Sequence, residues 1–451
     1  MRKRLLPLLA AALVLPAAAE EPALKLATFR ADVTPPPGAP LCAGLVQPVA
    51  GITDPLLALG IVLLGDEKPV VLCAVDWCEI RGDDHVHWRE RLARAAGTTP
   101  ERVAVQCLHQ HNAPIADSSA AKLCAEVVPP IAVLDKEAIE RALEKVAAAV
   151  ATSLKEARPV THLAHGEARV SQVASNRRVM GNDGRVAFVR TSATKDAKVR
   201  AAPEGLIDSM LKTISFWNGE RKLVVLHYYA THPMSYYGDG LVSSDFVGLA
   251  REQRTKEDEV PHIYFTGCGG NVTAGKYNDG NPANRPLLMD RMHAAMVESE
   301  KTPQRVAMGK MEWRAKPVLL PANPEFKEED LLKLVGDGKA APAVRITSAL
   351  KISYLRHVAS GAPIQFTSLD FGNHVKLLHL PGEAFVEYQL FAQQQAPGSF
   401  VATASYGDGG PGYIPLEPSF AEGGYEPTQA FAAPPSEKMM KEAIVDLIKE
   451  R

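Results

Sequence analysis

The chain has 451 residues, enough for one large domain or two modest ones, and its 46% apolar and 23% charged content is that of an ordinary globular protein. A formal net charge of −2 leaves no basic field that would point to nucleic acid. The six cysteines include no CxxC pair, which argues against a cysteine-based zinc site.

In chain order, MRKRLLPLLAAALVLPAAAEEP comes first, with Arg2, Lys3 and Arg4, an apolar stretch, and Ala17 to Ala19 before Glu20. That is the layout of a secretory signal peptide over residues 1–19, cleaved near Ala19, so the mature chain is expected to be exported, periplasmic or secreted. The apolar part is short of the ~20 residues of a membrane span, and no later segment is long and apolar enough for one. Export permits disulfides, but Cys73 and Cys107 fall in apolar runs, which predicts buried free thiols there.

LALGIVLLG and KPVVLCAVDW are β-branched runs bounded by turns and predict strands. DDHVHWRERLARAAG predicts a helix with Val86, Trp88 and Leu92 on its core face and Gly97 closing it. RVAVQCL is the next strand, which makes a βαβ unit with a parallel pair. Asp135 to Ala157 reads as a long amphipathic helix, and ISFWNGERKLVVLHYYATH as a hairpin turning at Asn218-Gly219. SDFVGLAREQRTK predicts a helix capped by Ser244 or Asp245, followed by the strand HIYFTG and the helix PANRPLLMDRMHAAMVESE. PEFKEEDLLKLVGDG predicts an exposed helix within an otherwise vague region from about 320 to 360. PIQFTSLDFGNHVKLLHLPGEAFVEYQLFAQQ reads as strand, Gly-Asn turn, strand and helix, SFVATASYG as a strand, and the last residues as a charged helix. The expected fold is α/β, one continuous domain of mixed, partly parallel sheets flanked by helices, with its site at strand C-terminal ends.

In an extended chain alternate side chains share a side, so His109 and His111 of LHQHNAP project together just past a strand's carboxyl end, where α/β proteins keep their sites. Other strands run out at His232, at the turn CGGNVTAG, at Glu383 and at Tyr413. Two histidines, a carboxylate and an oxygen donor make a reasonable shell for zinc. The glycine-rich turn can aim N–H groups at developing negative charge. Each residue also has a structural reading: a hydrogen-bonded buried histidine, a carboxylate at a helix N-terminus, a packed tyrosine. Asp76 and Asp245 are expected to orient neighbouring elements, and His227, Tyr228 and Tyr229 to pack within their strand.

These segments resemble the N-terminal catalytic domain of the neutral/alkaline (non-lysosomal) ceramidase family. RADVTPP followed by GITDPLLALGIVL and VVLCAVD resembles the family's opening. LHQHNAP stands where the family has HTHSGP, ATHPMS at its second histidine motif, GGNVTAG at its GDVSPN turn and LPGEAF at its PGE motif. Tyr413 and Tyr425 keep the family's interval of twelve positions (425 − 413 = 12). By position, the resemblance implies one Zn2+ per chain held by His109, His232, Glu383 and Tyr413. It implies a proton-shuttling role for His111 beside the scissile bond and contacts to the reacting group from Arg177 (in ASNRRVMG) and Tyr425. Thr273 occupies the serine position of the turn. Gln110, Asn112 and Ala113 replace the family's Thr, Ser and Gly, and Gly-Asn-Val-Thr replaces Gly-Asp-Val-Ser. CAVDWC and YYATHPMSYYGDG resemble wordings of a shorter branch of exported bacterial proteins. The implied organisation is a catalytic domain over residues 26–451 without the C-terminal β-rich domain of longer ceramidases. The implied activity is zinc-dependent hydrolysis of a small-molecule N-acyl amide, as in sphingolipid metabolism. The alternatives are an esterase, deacylase or peptidase on the same scaffold, or a non-catalytic binding protein, against which the near-complete set of motif residues argues.

Overall fold

The computed structural model describes residues 24–372 and 375–449, so the expected leader and Asn373 of the expected Gly-Asn turn lie outside the described residues. Three larger sheets are built by one rule: antiparallel strands, then a strand–helix–strand passage that adds a parallel edge. In the first, Leu57–Leu64 pairs antiparallel with Lys25–Asp32 and Val70–Val75. The chain then passes through helix Gly82–Ala96 and returns as Val103–Cys107, parallel to Val70–Val75. In the second, Met210–Asn218 and Arg221–Tyr229 form the hairpin, and helix Asp245–Asp258 leads to His262–Thr266, parallel to Arg221–Tyr229. In the third, Ile364–Asp370 pairs antiparallel with Val375–His379, and helix Val386–Gln395 leads to the parallel strand Phe400–Ala404.

Val70–Val75, Val103–Cys107, His262–Thr266 and Val375–His379 are buried along their whole length. Parallel-paired strands covered on both faces lose the in–out alternation, which is why these strands are legible as unbroken apolar runs. The inner faces of the three sheets meet in one core, with Ile61 and Leu72 from the first, Ile214 and Phe265 from the second, and Leu369 and Leu377 from the third. Gly60 sits where the first sheet is tightest: a Cβ there would stand 2.2 Å from the Phe29 ring and 2.3 Å from the Leu72 carbonyl oxygen. Helices cover the outer faces through Trp88, Leu92 and Val146 on the first sheet and Phe246, Val247 and Met292 on the second. Among the described residues, no helix is long and apolar enough to cross a membrane.

Some expectations change in detail. The buried stripe of helix Gly82–Ala96 runs through His85, Trp88, Leu92 and Ala96, and Val86 is only part-buried. Val86 lies two residues, about 200°, from Trp88 and so faces away from it. Ser244 stands at the N-cap of its helix but makes no capping bond; its hydroxyl goes to Asp54 Oδ2. Asp245 takes the Phe246 N–H and also both the N–H and hydroxyl of Ser235, tying down the loop after His232. The vague region contains a long helix, Pro342–Ala359, which buries Ile346, Ala349 and Leu350. Asp76 orients as expected: it forms a fully buried, two-pronged pair with Arg251 at 2.8 and 2.9 Å and accepts the Leu57 N–H. All six cysteines are free and buried.

Candidate metal centre

The three parallel edges deliver their C-terminal ends to one place. Beyond Cys107, the Leu108 and His109 N–H groups donate to the Val75 and Trp77 carbonyls, so the chain follows its parallel neighbour past the sheet. His109 adopts φ +72°, left-handed space that a non-glycine residue occupies at some strain. The strand has already ended there, so this turn, rather than strand alternation, brings the His109 and His111 rings to 4.9 Å between centroids. His232 follows the second sheet's strand, and its N–H donates to the Val272 carbonyl. Glu383 and Tyr413 face each other across a short parallel pairing, Glu383–Ala384 with Tyr413–Ile414. The CGGN turn passes close behind: a Cβ on Gly270 would stand 2.2 Å from the Glu383 carbonyl oxygen, so glycine is required.

The proton inventory of the cluster is the decisive feature. His109 Nδ1 lies 3.0 Å from the Cys78 carbonyl oxygen and His232 Nδ1 lies 2.7 Å from that of Gly269. A carbonyl can only accept, so both Nδ1 atoms carry the proton and both Nε2 atoms of neutral rings present lone pairs. Those two lone pairs meet Glu383 Oε2, at 2.9 Å from His232 Nε2 and 3.1 Å from His109 Nε2. His109 Nε2 is buried and makes no hydrogen bond of acceptable geometry. The Tyr413 hydroxyl stands 3.3 Å from His232 Nε2 and accepts from Arg177 Nη1 at 2.7 Å. Buried acceptors that face one another need a proton or a cation between them. The orientation of each ring by a backbone carbonyl is the arrangement that surrounds metal-bound histidine. The donors present fit a zinc-like ion.

From the protein's own charges, burial opposes a charged His109, but Glu383 raises its pKa above the usual histidine value. Burial likewise opposes ionised Glu383, yet His109 and His232 hold it well below the usual carboxylate range. Burial and the neighbouring His109 and His232 push His111 well below the ordinary value, leaving a neutral imidazole. Its Nδ1 is enclosed and without a hydrogen-bond partner.

Arg177 and Tyr425 lie beside this centre. The Arg177 guanidinium stacks over the Tyr413 and Tyr425 rings at 5.5 and 4.9 Å, and Tyr425 is 43% exposed. The neighbouring Arg178 instead turns to Glu422 and Glu426, at 2.9 and 3.0 Å. Thr273 is grouped with the turn: it is fully buried, bridges to His232 through the backbone, and its hydroxyl accepts the Gly275 N–H. Sequence reasoning missed Tyr406, whose ring stacks on His109 at 4.3 Å between centroids. It also missed the carbonyls of Cys78 and Gly269. Tyr406 stands one residue past the SFVATAS run and has φ +59°; its position at a strand end was the available signal.

No family model matches this sequence, and no curated protein does. The fold nevertheless defines a class, the mixed α/β fold of neutral ceramidases. Solved ceramidase structures share it. Neutral ceramidase from Pseudomonas aeruginosa superimposes with a TM-score of 0.69 at 16% identity, covering 95% of this chain and 74% of that one. A ceramidase complexed with C2 gives 0.67 at 16% identity, covering 95% and 75%.

Proposed function

We propose that this chain is an exported zinc-dependent hydrolase that cleaves an N-acyl amide in the manner of a ceramidase. The observation that carries the reading is the convergence on one carboxylate of two imidazoles whose Nδ1 atoms are both committed to backbone carbonyls, with a phenol oxygen beside them. The shared ceramidase fold supports it. In this reading His109, His232, Glu383 and Tyr413 hold one Zn2+. Bound there, zinc acts as a Lewis acid, lowering the pKa of water to about 7 and polarising a carbonyl.

His111, neutral and adjacent to the ligand set, takes a proton from water and passes one to the amide nitrogen. The C–N bond breaks as water's oxygen joins the acyl carbon, giving a carboxylate and an amine. Arg177 and Tyr425 offer donors to the oxyanion of the tetrahedral species. Arg177 also holds the Tyr413 oxygen, and Thr273 shapes the turn behind His232. The reading includes a cleaved leader over residues 1–19 and a catalytic domain over residues 26–451. Metal analysis with a panel of N-acyl amines tests it: zinc on this centre and carboxylate release that is abolished by His109→Ala are expected. Stoichiometric zinc without turnover of any amide or ester would reject it.

A further inference from the structure

We propose that Cys42, Cys78 and His111 form a second cation site, suited to a thiophilic ion such as Zn2+ or Cd2+, whose occupation withdraws His111 from proton transfer. The two sulfurs and a ring nitrogen of His111 lie within 4.8 Å of one another. Two thiols and an imidazole are the donor set that soft and borderline cations select. The sequence has no CxxC pair, so the fold assembles this set from three separate segments. It does so through one length of backbone: the Cys42 N–H donates to the Ala113 carbonyl at 2.7 Å and the Cys78 N–H to the Pro114 carbonyl at 2.9 Å. Both cysteines are therefore tied to the backbone two and three residues past His111.

Two further observations point to a ligand. Cys42 and Ala43 both adopt left-handed backbone, at φ +46° and +56°, although neither is glycine. Such strain persists where surrounding structure over-determines the position, as at binding sites. The enclosed, unpartnered Nδ1 of His111 is a polar atom that burial without a hydrogen bond penalises. Both thiols are buried and free. The site shares no ligand atom with the His109 centre, where Cys78 contributes its carbonyl instead, although its sulfur lies 3.9 Å from His109 Nδ1.

An imidazole with a cation on one nitrogen has no lone pair left to accept a proton. The inhibitory consequence therefore rests on the hydrolase reading, and the binding site does not. The test uses the whole chain under reductant, loaded with Zn2+ or Co2+. Roughly two cations per chain are expected for wild type and roughly one for Cys42→Ser or Cys78→Ser. His109→Ala should lose the other cation and keep a thiolate-to-cobalt charge-transfer band. With any amide that is turned over, excess Zn2+ should slow wild type by about a hundredfold, the contribution of a general base, and spare Cys42→Ser. One cation per chain with no thiolate band overturns the proposal, as does a Cys42–Cys78 disulfide in the chain isolated from its own compartment. If no variant turns over any substrate, the hydrolase reading fails and the cation count still decides this site.

Discussion

His109, His232 and Glu383 share their metal-ligand spacing with a second trio, His227, His262 and Glu300. In the first, both Nδ1 atoms donate to carbonyls and the Nε2 lone pairs converge on a carboxylate. In the second, a chain of partners satisfies the rings. Thr213 Oγ1 meets His227 Nδ1 at 2.9 Å, His227 Nε2 meets His262 Nδ1 at 2.8 Å, and His262 Nε2 meets Asp258 Oδ2 at 3.1 Å. Cations of the protein are already in place: Lys222 lies 2.7 Å from both Asp258 and Glu300, and Arg254 lies 3.1 Å from Glu300. Spacing alone nominates both trios. What separates them is whether each ring's remaining nitrogen faces a group that can exchange a proton or another lone pair.

The widest separation is expected in metal affinity. His232→Ala should weaken zinc binding at its centre by more than about a hundredfold, beyond the loss of an outer partner, while His227→Ala leaves it unchanged. Competition with a chromophoric chelator measures both, and equal losses would erase the distinction. Stability should invert the order. In chelator-treated protein, His227→Ala breaks a satisfied buried network and should cost about 2–4 kcal/mol in urea unfolding. His232→Ala removes a partner of ionised Glu383 but also thins a crowd of facing acceptors, and should cost less than His227→Ala; an equal or larger loss would mean the cluster is self-sufficient without metal.

The smallest effect is in the pH dependence. Burial holds His227 well below the usual histidine value, and burial also lowers His262. The unfolded chain then takes up protons first, so this network's stability is complete above about pH 6.5 and is lost as pH falls below it. His109 has the opposite sign: with its pKa raised by Glu383 against burial, its contribution is complete below about pH 6.5 and lost as pH rises through the folded value. Between pH 5.5 and 7.5, His227→Asn should flatten the chelated protein's slope by up to about 1.4 kcal/mol per pH unit. An unaltered slope would show that His227 titrates in the fold as it does in the unfolded chain, and a steeper one that it is protonated in the fold.

Much of the architecture is legible because parallel-paired strands are buried on both faces and advertise themselves as apolar runs, as VVLCAV and VAVQC do. Helix Pro342–Ala359 is not, because its buried residues include Arg345, Ser348 and His357, which blur the apolar period. Tyr406 escapes notice because its place depends on distant backbone: its N–H donates to Gly382 and its carbonyl accepts from Cys107.

The sequence by itself determined which runs become strands and that His109, His232 and Glu383 stand just beyond their carboxyl ends, since local periodicity and turn residues encode both. Only the tertiary structure decided that Arg177 rather than Arg178 turns to Tyr413, that His227 is satisfied where His109 is not, and that Cys42 and Cys78 gather at His111. Those outcomes depend on which hydrogen-bond partner each buried group meets across sheet-to-sheet packing, and that information resides in long-range contacts.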